Sequence, residues 1–348
     1  MLIGKVVKFC VFGSVAAVLT SGPAAFAGEA SNLQGQRITV AFFGGALQKP
    51  IEEAWAIPFE KATGAKVSLD SPNPRAKLKA QVESGNTVWD VYTEDASFVH
   101  QNCGVLFDKV DTSQFVAAGI DKRFITNDCG VPTVVVAEVF AYNEDKYRNA
   151  PPKSWADFFD LKKFPGKRAI FNSPMTGILE MALLADGVPA DKLYPLDLDR
   201  AFKKLDTIKD KIFWTQSPGA LTDALANSQV DLALAFSGRV AAAAKAGAKV
   251  AVVRNQQFLS WDDWAIVKGS KNKAAGIAFL NFASQPKQQA KFTELASYAT
   301  ANSDGHPKVD SLSARFLPVR ENAVFINQGW WAKNFDAVNQ RFVAWQSQ

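Results

Sequence analysis

The chain has 348 residues, a formal net charge of +5 and 21% charged residues. This length exceeds what one hydrophobic core usually organises, which favours two domains. The positive surplus is too small to indicate a nucleic-acid or membrane partner, so neither is expected.

The first 27 residues have the pattern of a secretory signal peptide. Lys5 and Lys8 form a positive start, residues 9–20 form an apolar run too short to span a bilayer, and residues 25–27 read Ala-Phe-Ala, a small-x-small cleavage site. We expect cleavage near Gly28 and a free, soluble protein in the periplasm. The cleaved segment holds two lysines and no acid, so the net charge would fall from +5 to +3.

Strand-like apolar runs alternate with amphipathic helical stretches, which predicts an α/β protein with helices on both faces of its sheets. The run 131–143 is almost continuously apolar and β-branched, so it suits a buried strand that crosses between lobes. Residues 154–157 form a capping box, and Asp199 is predicted to cap the helix that runs through Ile208. The other predicted strands are 38–43, 66–69, 88–92, 169–171, 230–236, 249–254 and 263–267, and further predicted helices are 75–84, 272–284 and 286–298.

Cys103 and Cys129 are the cysteines that remain after cleavage, because Cys10 leaves with the signal. In an oxidising compartment an even pair is more often bridged than free, so we predict a disulfide closing a loop of about 26 residues. The alternative is a nucleophilic cysteine with His100 as a nearby base, which would make the chain a secreted enzyme.

Two histidines far apart in sequence and a paired cysteine set give no metal-ligand spacing, and no Walker or Rossmann glycine pattern is present. No metal site or cofactor is therefore expected.

Acidic residues stand beside aromatic residues at predicted strand ends, where α/β sheets present their ligand clefts. The clearest case is Trp261 and Asp262, followed by Asp263 and Trp264. A carboxylate together with indole faces holds a cationic amine well, because the ring quadrupole and the anion both attract positive charge. The alternative is that both tryptophans are core residues and the acids cap a strand end.

Two further places give weaker signals. Glu94 and Asp95 form another acidic strand end, for which solvated loop charge is an equal alternative. Arg239 follows the predicted strand 230–236, where it could bind a ligand carboxylate bidentately or simply lie in a first helical turn.

The order and spacing of several motifs resemble the spermidine/putrescine-type extracellular solute-binding proteins of ABC importers. The similar stretches cover nearly the whole mature chain and are 42–48 with 58–64, 89–91 leading to 103–104, 152–159 with 163–168, 261–269 with 281–283, and 329–331. The resemblance implies a type II-like periplasmic binding protein fold with two α/β lobes joined by crossing hinge strands. We expect lobe 1 at 28–141 plus 265–311, and lobe 2 at 142–264 plus 312–348.

The resemblance also implies site residues. Phe43 matches a first-loop aromatic, Phe236 the aromatic before a Ser-Gly turn, Asp262 the acid that grips an ammonium group, and Tyr298 a late cleft aromatic. Asp95 falls near a polar first-lobe contact.

The chain departs from the family pattern at Pro174 and Gly177, where polyamine binders carry two acids. Leaving one ammonium group of a long polyamine unpaired would cost several kcal/mol. A shorter amine, or an amino acid-like or opine-like zwitterion with its ammonium on Asp262 and its carboxylate on Arg239, fits better.

The sequence therefore predicts a periplasmic solute-binding protein that captures a small amine-bearing solute by lobe closure and delivers it to an ABC permease. The family expectation is a monomer. The open alternatives are the cysteine-dependent secreted enzyme and a chemosensory accessory protein that uses the same pocket.

Overall fold

The computed structural model describes Met1 and residues 32–348. Apart from Met1, the predicted signal peptide lies outside the described residues. The strands are β1 (Arg37–Ala41), β2 (Lys66–Asp70), β3 (Val91–Asp95), β4 (Gly130–Asn143), β5 (Arg168–Phe171), β6 (Ile212–Thr215), β7 (Leu232–Phe236), β8 (Val250–Ile266), β9 (Ala299–Thr300) and β10 (Val324–Phe325).

The helices fill the stretches between the strands. They are α1 (Gln48–Ile51), α2 (Ile57–Thr63), α3 (Arg75–Glu83), α4 (Ala96–Gln101), α5 (Ser113–Ala117), α6 (Glu144–Tyr147), α7 (Trp155–Phe159), α8 (Ile178–Ala185), α9 (Leu198–Asp206), α10 (Pro218–Ala226), α11 (Ser237–Lys245), α12 (Lys273–Ala283), α13 (Pro286–Ala296), α14 (Ser311–Ala314) and α15 (Gln328–Gln346). A π-helical turn, Glu52–Ala56, joins α1 to α2. In the described part of the chain, no helix has both the length and the apolar character needed to cross a membrane.

The strands hydrogen-bond in the order β2-β1-β3-β8-β4-β7-β5-β6, with β9 added to β4 and β10 added to β8. Strands β1, β2 and β3 run parallel to one another, as do β5, β6 and β7. Strands β4 and β8 run antiparallel to each other, to β7 and to β3, whereas the short β10 runs parallel to β8. The two parallel groups are thus separated by one antiparallel pair. This mixed α/β architecture agrees with the predicted two-lobe fold class.

Strands β4 and β8 contribute residues to the hydrophobic cores of both halves of the molecule. Val135 and Leu259 pack into one core, whereas Phe140 and Val253 pack into another. The pairing of β4 with β8 shifts register between Glu138 and Phe140, and the two strands continue to pair with each other on both sides of this irregularity.

Strand β8 corrects one sequence prediction. The sequence indicated two strands, 249–254 and 263–267, with polar residues between them, but the structure has the single strand Val250–Ile266. Pairing with β4 on one side and with β3 near its end keeps residues 260–263 extended. The acids at Asp262 and Asp263 therefore lie within the strand and not at its end.

Two smaller boundaries also differ. The third strand was predicted at 88–92 but begins at Val91, because the amides of Val88 and Trp89 donate to the Gln81 side chain instead of a neighbouring strand. Asp197, not Asp199, caps α9 by accepting from the amide of Arg200. The capping box at Ser154 is present as predicted.

The predicted disulfide joins Cys103 to Cys129 in the structure. The cysteine-dependent enzyme considered above requires a free thiol, and both sulfurs are bonded here. In the chain-entropy model, closing a loop of this length stabilises the fold by about 3.5 kcal/mol.

Replacing both cysteines with serine is expected to lower the free energy of unfolding by about 2–4 kcal/mol. Urea unfolding of the mature protein, followed by circular dichroism, measures this loss. Ligand affinity should change little, because the bond lies outside the candidate site described next. An unfolding free energy that stays the same would show that the bond does not stabilise the fold.

Candidate ligand-binding site

Four polar side chains lie together on one face of the sheet where β3, β8 and β4 run side by side. Asp95 on β3 is directly opposite Asp262 on β8, so both point to the same side. Ser260 precedes Asp262 by two residues and therefore shares its face. The Ser260 hydroxyl donates to Glu138 of β4, with 2.8 Å between Oγ and Oε1. We call Asp95, Glu138, Ser260 and Asp262 the acidic face.

The pKa values of all three acids of the acidic face are raised, first of all by burial. Burial holds the pKa of Asp262 well above its usual range, and the negative charges of Asp95, Glu94, Asp263 and Glu138 add to the effect. Burial likewise raises the pKa of Asp95, although hydrogen bonds from Ser97 oppose it. Burial raises the pKa of Glu138 to about 8. Among the described residues, none of the three is ion-paired, and the Asp262 carboxylate accepts no hydrogen bond.

The members of the acidic face differ in how much of their surface solvent can reach. Asp95 and Asp262 keep part of their surface accessible although protein atoms surround them, whereas Glu138 is only 3% exposed. The hydroxyl of Ser97, at the start of α4, reaches the Met175 sulfur at 3.5 Å. Met175 packs against the second core, so this contact joins the two halves beside the acids.

Glu94, the other predicted acid of this strand, already has partners. The Arg75 Nε donates to its carboxylate at 2.9 Å, and the Tyr92 hydroxyl lies 3.4 Å from the same oxygen. Its charge is therefore balanced within the protein, and we do not assign it to the ligand.

The two tryptophans that flank the acids in sequence are core residues. Trp264 is 1% exposed and stacks on Phe279 with 5.0 Å between ring centroids. Trp261 is 2% exposed and meets Phe124 edge to face at 5.1 Å. The prediction that these rings flank a ligand is corrected, because neighbouring core aromatics already cover them.

A second group of predicted residues gathers around the first turn of α11. A Cβ added to Gly238 would lie 2.9 Å from a ring carbon of Tyr298, so the tyrosine ring rests directly on this turn. Burial raises the pKa of Tyr298, while the positive charge of Arg239 lowers it and the negative charge of Asp262 raises it. The Tyr298 hydroxyl therefore lies within the electric fields of both Arg239 and Asp262.

Arg239 and Phe236 complete this end of the site. Arg239 is exposed and forms no ion pair with any described residue. Phe236 precedes α11 and lies opposite Glu138 in the pairing of β4 with β7, which brings it next to the acidic face. The site thus has an acidic end and a basic end, with Tyr298 near both.

Phe43, the predicted first-loop aromatic, is 40% exposed and belongs to none of the hydrophobic cores. Its role against a ligand stays a prediction.

Gly177 shows why the second acid of polyamine binders cannot be accommodated. This residue precedes α8 with a left-handed backbone, at a φ of 76°. A Cβ at this position would lie 2.6 Å from the Phe258 ring. A glutamate here would be strained and would have to displace that ring.

Glu138 and Ser260 were not among the residues predicted from the sequence. Glu138 is the one acid in the apolar run 131–143, and a buried charge in such a run was the available signal. Its place beside Ser260 depends on the strand register, because Ser260 pairs with Val136 and Glu138 lies two residues further along β4.

Two open cavities lie elsewhere on the surface. One, of about 220 Å³, is lined by residues that include Val135, Asn302 and Arg320. The other, of about 350 Å³, is lined by residues that include Val188, Pro195 and Arg200. Neither contains a member of the acidic face, which is marked as a site by its unpaired charges and not by open volume.

Comparison with known proteins identifies the class to which this fold and site belong. Residues 54–311 match the family model of the bacterial extracellular solute-binding proteins, and the chain belongs to that family. The predicted class, a solute-binding protein of the ABC-transporter type, is therefore confirmed.

The chain is also similar to individual proteins whose ligands are named. The chain is 36% identical over 330 residues to a gamma-aminobutyric acid-binding protein of Pseudomonas aeruginosa, covering 91% of this chain and 92% of the relative. It is 26% identical over 277 residues to a putrescine-binding periplasmic protein of the same species, covering 72% and 75% of the two chains. A solved GABA receptor structure superimposes with a TM-score of 0.82 at 37% identity, over 89% of this chain and 98% of that one.

Proposed function

We propose that this protein captures a short ω-amino acid in the periplasm and delivers it to the permease of an ABC importer. The leader at residues 1–27 would be removed on export, and the mature chain would act as a monomer. The ligand would draw the two lobes together about β4 and β8. Because Leu259, Trp261 and Trp264 pack in the first core, we place the second lobe crossing near Gln256 instead of at residue 264.

The observation that carries the proposal is that Tyr298 lies close to two opposite charges. Its ring rests on Gly238, the residue before Arg239, and its pKa is lowered by the charge of Arg239 and raised by that of Asp262. An ω-amino acid carries an ammonium group at one end and a carboxylate at the other. It can place the ammonium on the acidic face and the carboxylate on the Arg239 guanidinium, which binds carboxylates bidentately.

The balance of charges supports a zwitterion over a simple polyamine. The acidic face offers carboxyl groups without a basic partner among the described residues, and Arg239 offers a cation without an anion. A polyamine could pair with the acidic face, but it would leave Arg239 facing another positive charge. The ligands named for the GABA-binding relatives carry both charges.

Isothermal titration calorimetry of the mature, ligand-free protein tests this function. GABA should bind at one site per chain, whereas n-butylamine and butyrate, which each lack one charged end, should bind at least about 100-fold more weakly. A chain-length series of ω-amino acids then defines the preferred spacing between the two charges.

Two results would contradict the proposal. If butyrate bound as tightly as GABA, the acidic face would not contribute to ligand recognition. If an opine bound and no ω-amino acid in the series did, the ligand would still be a zwitterion, but it would belong to a class of larger molecules than the one proposed.

A further inference from the structure

Glu138 is a buried acid whose position connects it to the ligand site. It lies on β4 between Phe236 of β7 and Phe258 of β8, and it is 3% exposed. Its Oε1 accepts from Ser260, while its Oε2 is buried and has no hydrogen-bond partner among the described residues. A buried oxygen without a partner, on the face that holds Asp262 and Asp95, is available to a ligand or to a proton.

No base in the described part of the chain forms an ion pair with Glu138. Its pKa is raised to about 8 by burial, opposed by the hydrogen bond from Ser260 and its own backbone, and supported by the charges of Asp95 and Glu180. The titratable groups on the elements around it are Arg254, Asp262 and Asp263 on β8, Asp95 and His100 at α4, Asp223 on α10, Arg239 and Lys245 on α11, Tyr298 beside β9, residues 144–147 of α6, and Glu180 on α8. The Arg254 guanidinium donates to the backbone carbonyls of Ala314 and Leu317 and forms no ion pair with Glu138. The two bases of α11 are not among the groups that perturb Glu138.

The acidic face therefore has more carboxyl groups than a single ammonium group of a ligand can neutralise. One ammonium group pairs with one carboxylate, and Asp262 supplies it in the proposed function. A second buried carboxylate without a cation would be strongly unfavourable. Glu138 must then be neutral in such a complex, which it achieves by keeping its proton.

A ligand with two ammonium groups changes this requirement. The second acid typical of polyamine binders is absent, because Gly177 packs against Phe258. Asp95 already accepts hydrogen bonds from the amide and hydroxyl of Ser97. Within the described chain, Glu138, whose Oε2 has no partner, is therefore the acid of this face left to pair with a second cation. It can do so only after releasing its proton to the solvent.

We propose that Glu138 sets the charge of the ligand that the site accepts, keeping its proton for a ligand with one ammonium group and releasing it for a ligand with two. The inference rests on the proposed function, because Asp262 is taken to hold the first ammonium. Glu138 is thus a specificity-determining residue, and the preference between monoamines and diamines depends on pH.

The test compares GABA with 1,4-diaminobutane, which has the same four-carbon chain and a second ammonium in place of the carboxylate. Calorimetry in two buffers of different ionisation enthalpy counts the protons released by each ligand. The diamine should release about one proton more than GABA, so the ratio of the two affinities should shift toward the diamine about tenfold per pH unit between pH 6 and pH 8.

The variant Glu138→Gln is expected to lower the affinity for the diamine relative to that for GABA by at least about tenfold, because an amide cannot release a proton to become an anion. The ratio of the two affinities should no longer depend on pH. Asp263→Asn is the matched control, since Asp263 is a buried acid that points to the opposite face of β8 from Asp262 and accepts from Asn127. This control should keep the wild-type proton count.

Equal proton release for the two ligands would overturn the inference, as would undetectable diamine binding at every pH or an affinity ratio that still depends on pH in Glu138→Gln. If that variant does not fold, the wild-type proton count alone decides. Using n-butylamine as a second one-ammonium ligand separates the two proposals. Binding of n-butylamine without GABA would refute the zwitterion proposal and leave the proton comparison valid.

Discussion

Replacing Asp262 with asparagine is expected to weaken GABA binding at least about 30-fold, because truncating one partner of a buried charge pair costs about 2–5 kcal/mol. The remaining carboxyl groups cannot replace it easily. Asp95 is held by Ser97, and Glu138 is bonded to Ser260. Calorimetry at pH 7.5 with wild-type and variant protein measures the change.

The same substitution should leave the ligand-free protein as stable or more stable. The pKa of Asp262 is raised in the folded chain, so the folded state keeps a proton that the unfolded chain has already released above its pKa of about 4. The contribution of this group to stability therefore falls as pH rises from that value toward the folded pKa. Asparagine does not titrate, so the variant should lose less stability than the wild type between pH 5 and pH 8. Thermal unfolding of both ligand-free proteins at these two pH values measures the difference.

Asp263→Asn is the control for Asp262→Asn. Asp263 is an adjacent buried acid with a raised pKa, but its carboxylate accepts from Asn127. The control should keep GABA affinity within about threefold, since no contact to the ligand is lost. Equal loss of affinity in both variants would indicate a general disturbance of β8 and would contradict the specific role of Asp262.

The sequence was sufficient for the elements that depend on local patterns. The apolar run of β4, the capping box at Ser154 and the disulfide each follow from residues close in sequence or from the compartment. Strand β8 could not be predicted as one element. Its middle carries polar residues and a positive φ of 56° at Gln256, which resemble a turn until the neighbouring strands are known.

The candidate site was predictable in part. Asp262 and Asp95 were found as acids near predicted strand ends, but their opposition across two strands is a matter of register, which periodicity alone does not determine. Glu138 was missed for the same reason. The tryptophans at 261 and 264 were ambiguous because indole rings suit both a ligand cleft and a core, and packing against distant rings such as Phe124 decides between them.

Replacing Arg239 with methionine is expected to convert the site from a zwitterion site to an amine site. GABA should bind about 30- to 100-fold more weakly, because its carboxylate would lose a charged partner in the cleft. The affinity for n-butylamine should stay the same or increase, since a positive charge that acts near Tyr298 and Asp262 has been removed. Fold stability should change little, because the exposed arginine has no ion pair among the described residues.

Lys245→Met provides the matched control for Arg239→Met. Lys245 lies on the same helix and pairs with Asp310 at 3.7 Å. The control removes the same charge from α11 at its far end, so its affinities for GABA and n-butylamine should equal those of the wild type. If Arg239→Met and the control bind GABA equally well, Arg239 does not hold the carboxylate, and the basic end of the site lies elsewhere. If both ligands weaken in parallel in Arg239→Met, the arginine supports the cleft without distinguishing the two ends of the ligand. Only a loss confined to the carboxylate-bearing ligand supports recognition of two opposite charges.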